Sequence, residues 1–88
     1  MNDHITQEEF DKVEDLVMKA TQAFTKASAA YYIKQLSFQK SYYCGYTGIV
    51  FSSLVSSVER AAGQVAEKDR KMYFVTQDLI KLSYQIKK

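Results

Sequence analysis

The chain has 88 residues, 47% of them hydrophobic, with 12 basic and 10 acidic side chains and a formal charge of +2. A chain of this size forms one domain and buries only roughly 60–65% of its unfolded surface, which leaves its stability marginal unless something else helps. The small charge excludes a protein that coats DNA or RNA, which needs a continuous basic stripe, and the lone cysteine, Cys44, excludes a disulfide framework and fits a reducing compartment.

The chain opens on a helix-start signal. Thr6-Gln7-Glu8-Glu9 has the form of a capping box, with Thr6 as cap and Glu9 three residues on. Glu8, Glu9, Asp11, Glu14 and Asp15 fill the opening turns, where acidic groups suit the positive end of the helix dipole. Phe10, Val13, Leu16/Val17, Ala20, Phe24 and Ala27 recur at three and four and mark one apolar face, onto which Ile5 is placed to staple. Thr25, Lys26 and Ser28 weaken the helical signal over Thr21–Ser28, because Ser and Thr hydroxyls bond local backbone and bend helices. One long helix and two shorter ones are both compatible with this stretch, and a kink or short break is the preferred reading. Ala29 to Ile33 resumes the pattern, with Leu36, Phe38 and Tyr42 continuing it.

Ser41–Gly48 is the expected turn between two arms. Gly45 and Gly48 are closely spaced, the chain has no proline, and glycine tolerates the left-handed backbone that ends a helix. Beyond it, Phe51, Leu54/Val55, Val58, Ala61/Ala62 and Val65 mark a second arm, interleaved with Ser52, Ser53, Ser56 and Ser57. Those serines either let another helix approach closely or present hydroxyls to a polar ligand. Glu67–Lys71 reads as a solvated stretch of a continuing helix, which Met72/Tyr73, Val75/Thr76, Leu79/Ile80, Leu82 and Ile86 carry to the C-terminal lysines. The expected architecture is all-α: a short N-terminal helix plus an antiparallel helical hairpin, one domain over residues 1–88. The apolar content exceeds what a lone hairpin hides, which points to oligomerisation.

Catalytic and metal chemistry are poorly provided for. His4 and Cys44 are the sole members of their types, far apart in the chain, so neither a nucleophile–base pair nor a zinc site is offered. The expectation is a protein that is not an enzyme and needs no cofactor. The longest apolar-leaning run, Gly48–Val58, is broken by serines and stops at Glu59-Arg60, too short to span a bilayer. Met1–Asp15 is acid-rich without an apolar core, so no secretory signal is expected and the location is cytoplasmic. Binding is better provided for: seven tyrosines and five phenylalanines include several beside single basic groups, such as Tyr31/Tyr32 next to Lys34. Aromatic faces stack on bases and ammonium groups pair with phosphate, although such neighbours also occur as ordinary core and solvated lysine.

In size, in its short first helix ahead of a hairpin, and at a few positions, the chain resembles the small phage anti-CBASS proteins, which sequester cyclic oligonucleotide second messengers. Phe10 resembles the family's base-stacking aromatic, Lys26 its phosphate-pairing lysine and Ser28 the hydroxyl residue after it; Arg60 or Arg70 resembles the arginine of its last helix. The resemblance implies ligand binding without turnover at Phe10, Lys26, Ser28, Arg60 and Arg70. It further implies a homo-oligomer, similar to compact hexamers with pockets between protomers, in the host cell cytoplasm. A second resemblance is to the WXG family of secreted helical hairpins, with Tyr43-Cys44-Gly45 at the turn where that family has Trp-x-Gly, and Phe74…Asp78 similar to its Tyr-x-x-x-Asp/Glu. That likeness implies a helical protein–protein interaction module, as does the related possibility of an adaptor or chaperone.

Overall fold

The computed structural model describes residues 2–62 and 68–87. They form four α-helices of similar length: α1 (Gln7–Gln22), α2 (Lys26–Lys40), α3 (Gly45–Ala61) and α4 (Lys68–Ser83). Among these residues no helix is long and apolar enough to cross a membrane.

α1 begins where the sequence signal puts it. The Thr6 hydroxyl accepts from the Glu9 amide at 3.1 Å, and Glu9 Oε1 accepts from the Thr6 amide at 3.0 Å, completing the capping box. Phe10, Val13, Val17 and Ala20 are buried along one face. α1 is not short, as expected, but a full 16-residue helix. It ends as the Thr21 hydroxyl turns back onto the Val17 and Met18 carbonyls at 2.9 and 3.2 Å, drawing those acceptors towards a local partner. The expected break follows over Ala23–Thr25. Ala23 takes an extended conformation, and Thr25 caps α2 by accepting from the Ser28 amide at 3.1 Å.

The central turn is shorter than expected. It occupies Ser41–Cys44, and Gly45 and Gly48 already belong to the first turns of α3. Gly45 has φ +62, the left-handed conformation that glycine enters without steric cost. A Cβ on Gly48 would lie 3.0 Å from the Tyr43 carbonyl oxygen, so the turn closes against bare backbone.

The second arm is not one continuing helix. α3 ends at Ala61, with Ala62 extended (ψ 135), and α4 starts at Lys68 and packs back along α3. The reason is burial. Continued straight, the Val50–Val58 face and the Val75–Leu82 face would each meet one neighbour; folded back, they cover each other. Of the expected solvated run, Lys68–Lys71 opens α4, and Glu67, like Val65, falls outside the described residues.

An extended N-terminal segment ties the ends together. The Asn2 amide donates to the Tyr42 carbonyl and the Cys44 amide to the Asn2 carbonyl, both at 2.8 Å. Three residues on, the Ile5 amide donates to the Gln85 carbonyl at 3.2 Å and the Lys87 amide to the Ile5 carbonyl at 2.9 Å. The starts of α1 and α3 and the ends of α2 and α4 therefore share one end of the molecule, and the helices alternate up-down-up-down. Ile5 is wholly buried and belongs to the same core cluster as Phe51, Leu54, Val13, Leu36 and Leu82.

Candidate functional site

The residues singled out by the anti-CBASS resemblance fall at two ends of the bundle. Lys26 and Ser28 lie at the start of α2, Arg60 in the last turn of α3 and Arg70 in the first turn of α4, so all four belong to the end opposite the N-terminal clamp. Lys26 borders a shallow depression of about 190 Å³ with Ala29, Ile33, Glu59 and Ala62. Ser28 is exposed, and its hydroxyl accepts from Thr25 Oγ1 at 3.1 Å as part of the α2 cap. Arg60 is exposed beside Glu59. Phe10 stands in the first turn of α1, roughly 18 Å of helix away from that end. It is only 8% exposed and reaches a groove between α1 and α4, about 290 Å³ in volume, whose other walls include Glu14, Leu79 and Ile80. Within one chain, Phe10 and Lys26 do not meet.

The clamped end holds a polar lock that the sequence did not disclose. Tyr43 is buried and its ring stacks on Phe51 at 5.3 Å and 17°. Its hydroxyl donates to Glu9 Oε2 at 2.8 Å, and Glu9's other oxygen is the one that completes the α1 cap. Burial, and then the adjacent Glu9 carboxylate, push the Tyr43 phenol well above its usual pKa. Burial works to raise Glu9 as well, but the bonds from the Thr6 amide and the Tyr43 hydroxyl outweigh it and hold the carboxyl below its usual value. The Thr47 hydroxyl adds a 2.6 Å bond to the Asp3 carbonyl. The Tyr43–Glu9 and Thr47–Asp3 bonds join groups more than thirty residues apart, and no local pattern announces them.

A second polar contact pins α3 to α4. Asp78, 6% exposed, accepts from Ser57 Oγ at 2.6 Å and Ser53 Oγ at 3.1 Å. Two of the four serines thus serve a buried carboxylate of the neighbouring helix, and Ser52 and Ser56 remain exposed. The i, i+4 spacing of Ser53 and Ser57 was the visible signal; their acceptor was not.

The most prominent feature is on the outside. Of the seven tyrosines and five phenylalanines, eight rings are more than half exposed: Phe24, Tyr31, Phe38, Tyr42, Tyr46, Tyr73, Phe74 and Tyr84. Phe24 stands fully free in the α1–α2 break. Tyr31 and Phe38 share one face of α2 at a spacing of seven, Tyr42 is exposed in the turn that follows, and Tyr46 and Ile49 are exposed at the start of α3. Helical spacing marked Phe38 and Tyr42 as apolar positions, and it carried no information about which side of α2 would be covered.

No protein-family model, curated protein or solved structure matches this chain.

Proposed function

We propose that this chain is a helical interaction module that works by self-association, holding other helices rather than transforming a substrate. The observation that carries the reading is the set of eight rings left more than half exposed around a well-packed core. Eight of twelve rings in solvent is more exposed aromatic surface than a lone helical domain needs, and aromatic residues are enriched where proteins meet. The test is the dependence of Tm on concentration. Association linked to the folded state raises Tm with protein concentration, by roughly 5 °C between about 2 and about 200 µM for a domain this small. The Phe38→Ser/Tyr42→Ser/Tyr46→Ser variant should keep its far-UV circular dichroism and lose that dependence. A wild-type Tm that stays flat across the range overturns the reading.

A second reading, sequestration of cyclic di- or trinucleotides, draws on the shared position of Lys26, Ser28, Arg60 and Arg70 at one end of the bundle. With Phe10 at the other end, it requires a ligand site shared between copies. Its test is a thermal-shift panel of cyclic di- and trinucleotides. A ligand at a hundredfold excess over its Kd adds about 2.7 kcal/mol, and Lys26→Ala should remove the shift. A flat panel ends this reading and leaves the first intact.

A further inference from the structure

We infer that two copies of this chain pair about a two-fold axis through the face formed by the start of α3 and the turn before it, a stretch that carries no charge of its own. The inference rests on the self-association reading and names the face that carries it. Three observations combine. The first is charge. Acidic groups crowd α1, basic groups alone punctuate α2, and from Ser41 to Val58 there is no charged residue at all. A two-fold axis sets a patch against itself, so any charge near the axis meets its own sign. The exposed surface of Tyr42, Tyr46, Ile49, Ser52 and Ser56 is the stretch of this molecule that can face itself without that penalty.

The second observation is shape. Ile49 projects from α3, 67% exposed. Beside it is an open depression of about 420 Å³ floored by Cys44, Gly45 and Gly48 and flanked by Ser41 and Ser52, with Lys40 at its rim. A knob next to a hollow is self-complementary under a two-fold rotation, since each copy offers its Ile49 to the other's hollow. The small residues along the same face let two α3 helices approach closely.

The third is area. Phe38, Tyr42, Tyr46 and Ile49 are each about three-fifths or more exposed, and together they present roughly 500 Å² of apolar surface. That is most of the ~800 Å² that each partner contributes to a standard-size interface, and Ser52, Ser56 and the stem of Lys40 complete it.

Sedimentation of the full chain at about 100 µM tests the pairing by mass. The wild type should sediment at an even multiple of 10.1 kDa. Ile49→Asp should fall to half that mass or less with its helical circular dichroism retained, because the side chain it replaces is mainly in solvent. Tyr73→Asp, on α4, should leave the mass unchanged. A charge exchange then probes the symmetry itself: Ser52→Glu alone and Ser52→Lys alone should each dissociate, and an equimolar mixture should reassemble. An assembled wild type whose mass Ile49→Asp and both Ser52 variants leave untouched overturns this pairing and leaves self-association standing. A monomeric wild type overturns both.

Discussion

α1 and α2 are adjacent, pack on each other, and have nearly the same length, 16 and 15 residues. Both are capped by a threonine that accepts from the amide three residues on. They differ in how their apolar residues are distributed. α1 keeps Phe10, Val13, Val17 and Ala20 on one buried face and turns Glu8, Asp11, Glu14 and Asp15 to solvent. α2 buries only Ala29 and Leu36, half-buries Tyr32 and Ile33, and leaves Tyr31 and Phe38 outside, with no acidic residue along its length. A helix that is apolar on one side needs one partner, and a helix apolar all round needs covering on more than one. α1 is finished by this fold; α2 is not.

The sharpest way to break that comparison is inside α2. Leu36→Ala, at a wholly buried position, should cost about 2–5 kcal/mol. Phe38→Ala, two residues on and 63% exposed, should change the stability of dilute protein by no more than about 0.5 kcal/mol. Urea denaturation at low micromolar concentration measures both, and equal losses would mean that α2's outer face is already covered within the chain.

At the junction that follows α2, Gly45→Ala should cost roughly 1–2 kcal/mol, because the residue must keep a φ near +62. Gly48→Ala should also destabilise, through the Tyr43 carbonyl that its new methyl would press against. Equilibrium unfolding of the two variants separates a conformational cause from a steric one.

The caps sharpen the contrast on a smaller scale. Thr6→Ala dismantles a reciprocal capping box and should cost about 1–2 kcal/mol; Thr25→Ala removes a one-way cap and should cost about 0.5–1 kcal/mol. Thermal unfolding of the pair decides the order, and a larger loss at Thr25 would show α2 to be the more self-sufficient helix.

The smallest effect is on pH dependence. Glu9 titrates below its ordinary 4.5 in the folded state, so its bonds contribute above that value and are lost as the pH falls through the folded pKa. Tyr43 titrates above its ordinary 10.0, so its contribution is full below pH 10.0 and is lost as the pH rises past it. Glu9→Gln should flatten the acid limb of the stability profile by under about 1 kcal/mol, given how exposed Glu9 is, and Tyr43→Phe should flatten the alkaline limb above pH 10.0. Urea midpoints across the two pH ranges read both.

What could be read from the chain alone was local. The α1 cap depends on four consecutive residues, the break within Thr21–Ser28 on hydroxyls that bond their own turn, and the α3 core face on spacing within one helix, so each is fixed by short-range chemistry. Charge segregation is equally a property of the sequence: the acids gathered before Leu16 and after Val58 were visible before any fold was known. The decision to fold the second arm back on itself was not local. It follows from two apolar faces burying each other, and Gly63, the third glycine, was the one nearby hint. Tertiary structure likewise chose Tyr43 over Tyr42 and Tyr46 for the interior, because only its ring reaches Phe51 while its hydroxyl meets Glu9. Periodicity states that a ring lies on a face, but only packing decides whether that face has a neighbour, and on α2 and the start of α3 the fold leaves it without one.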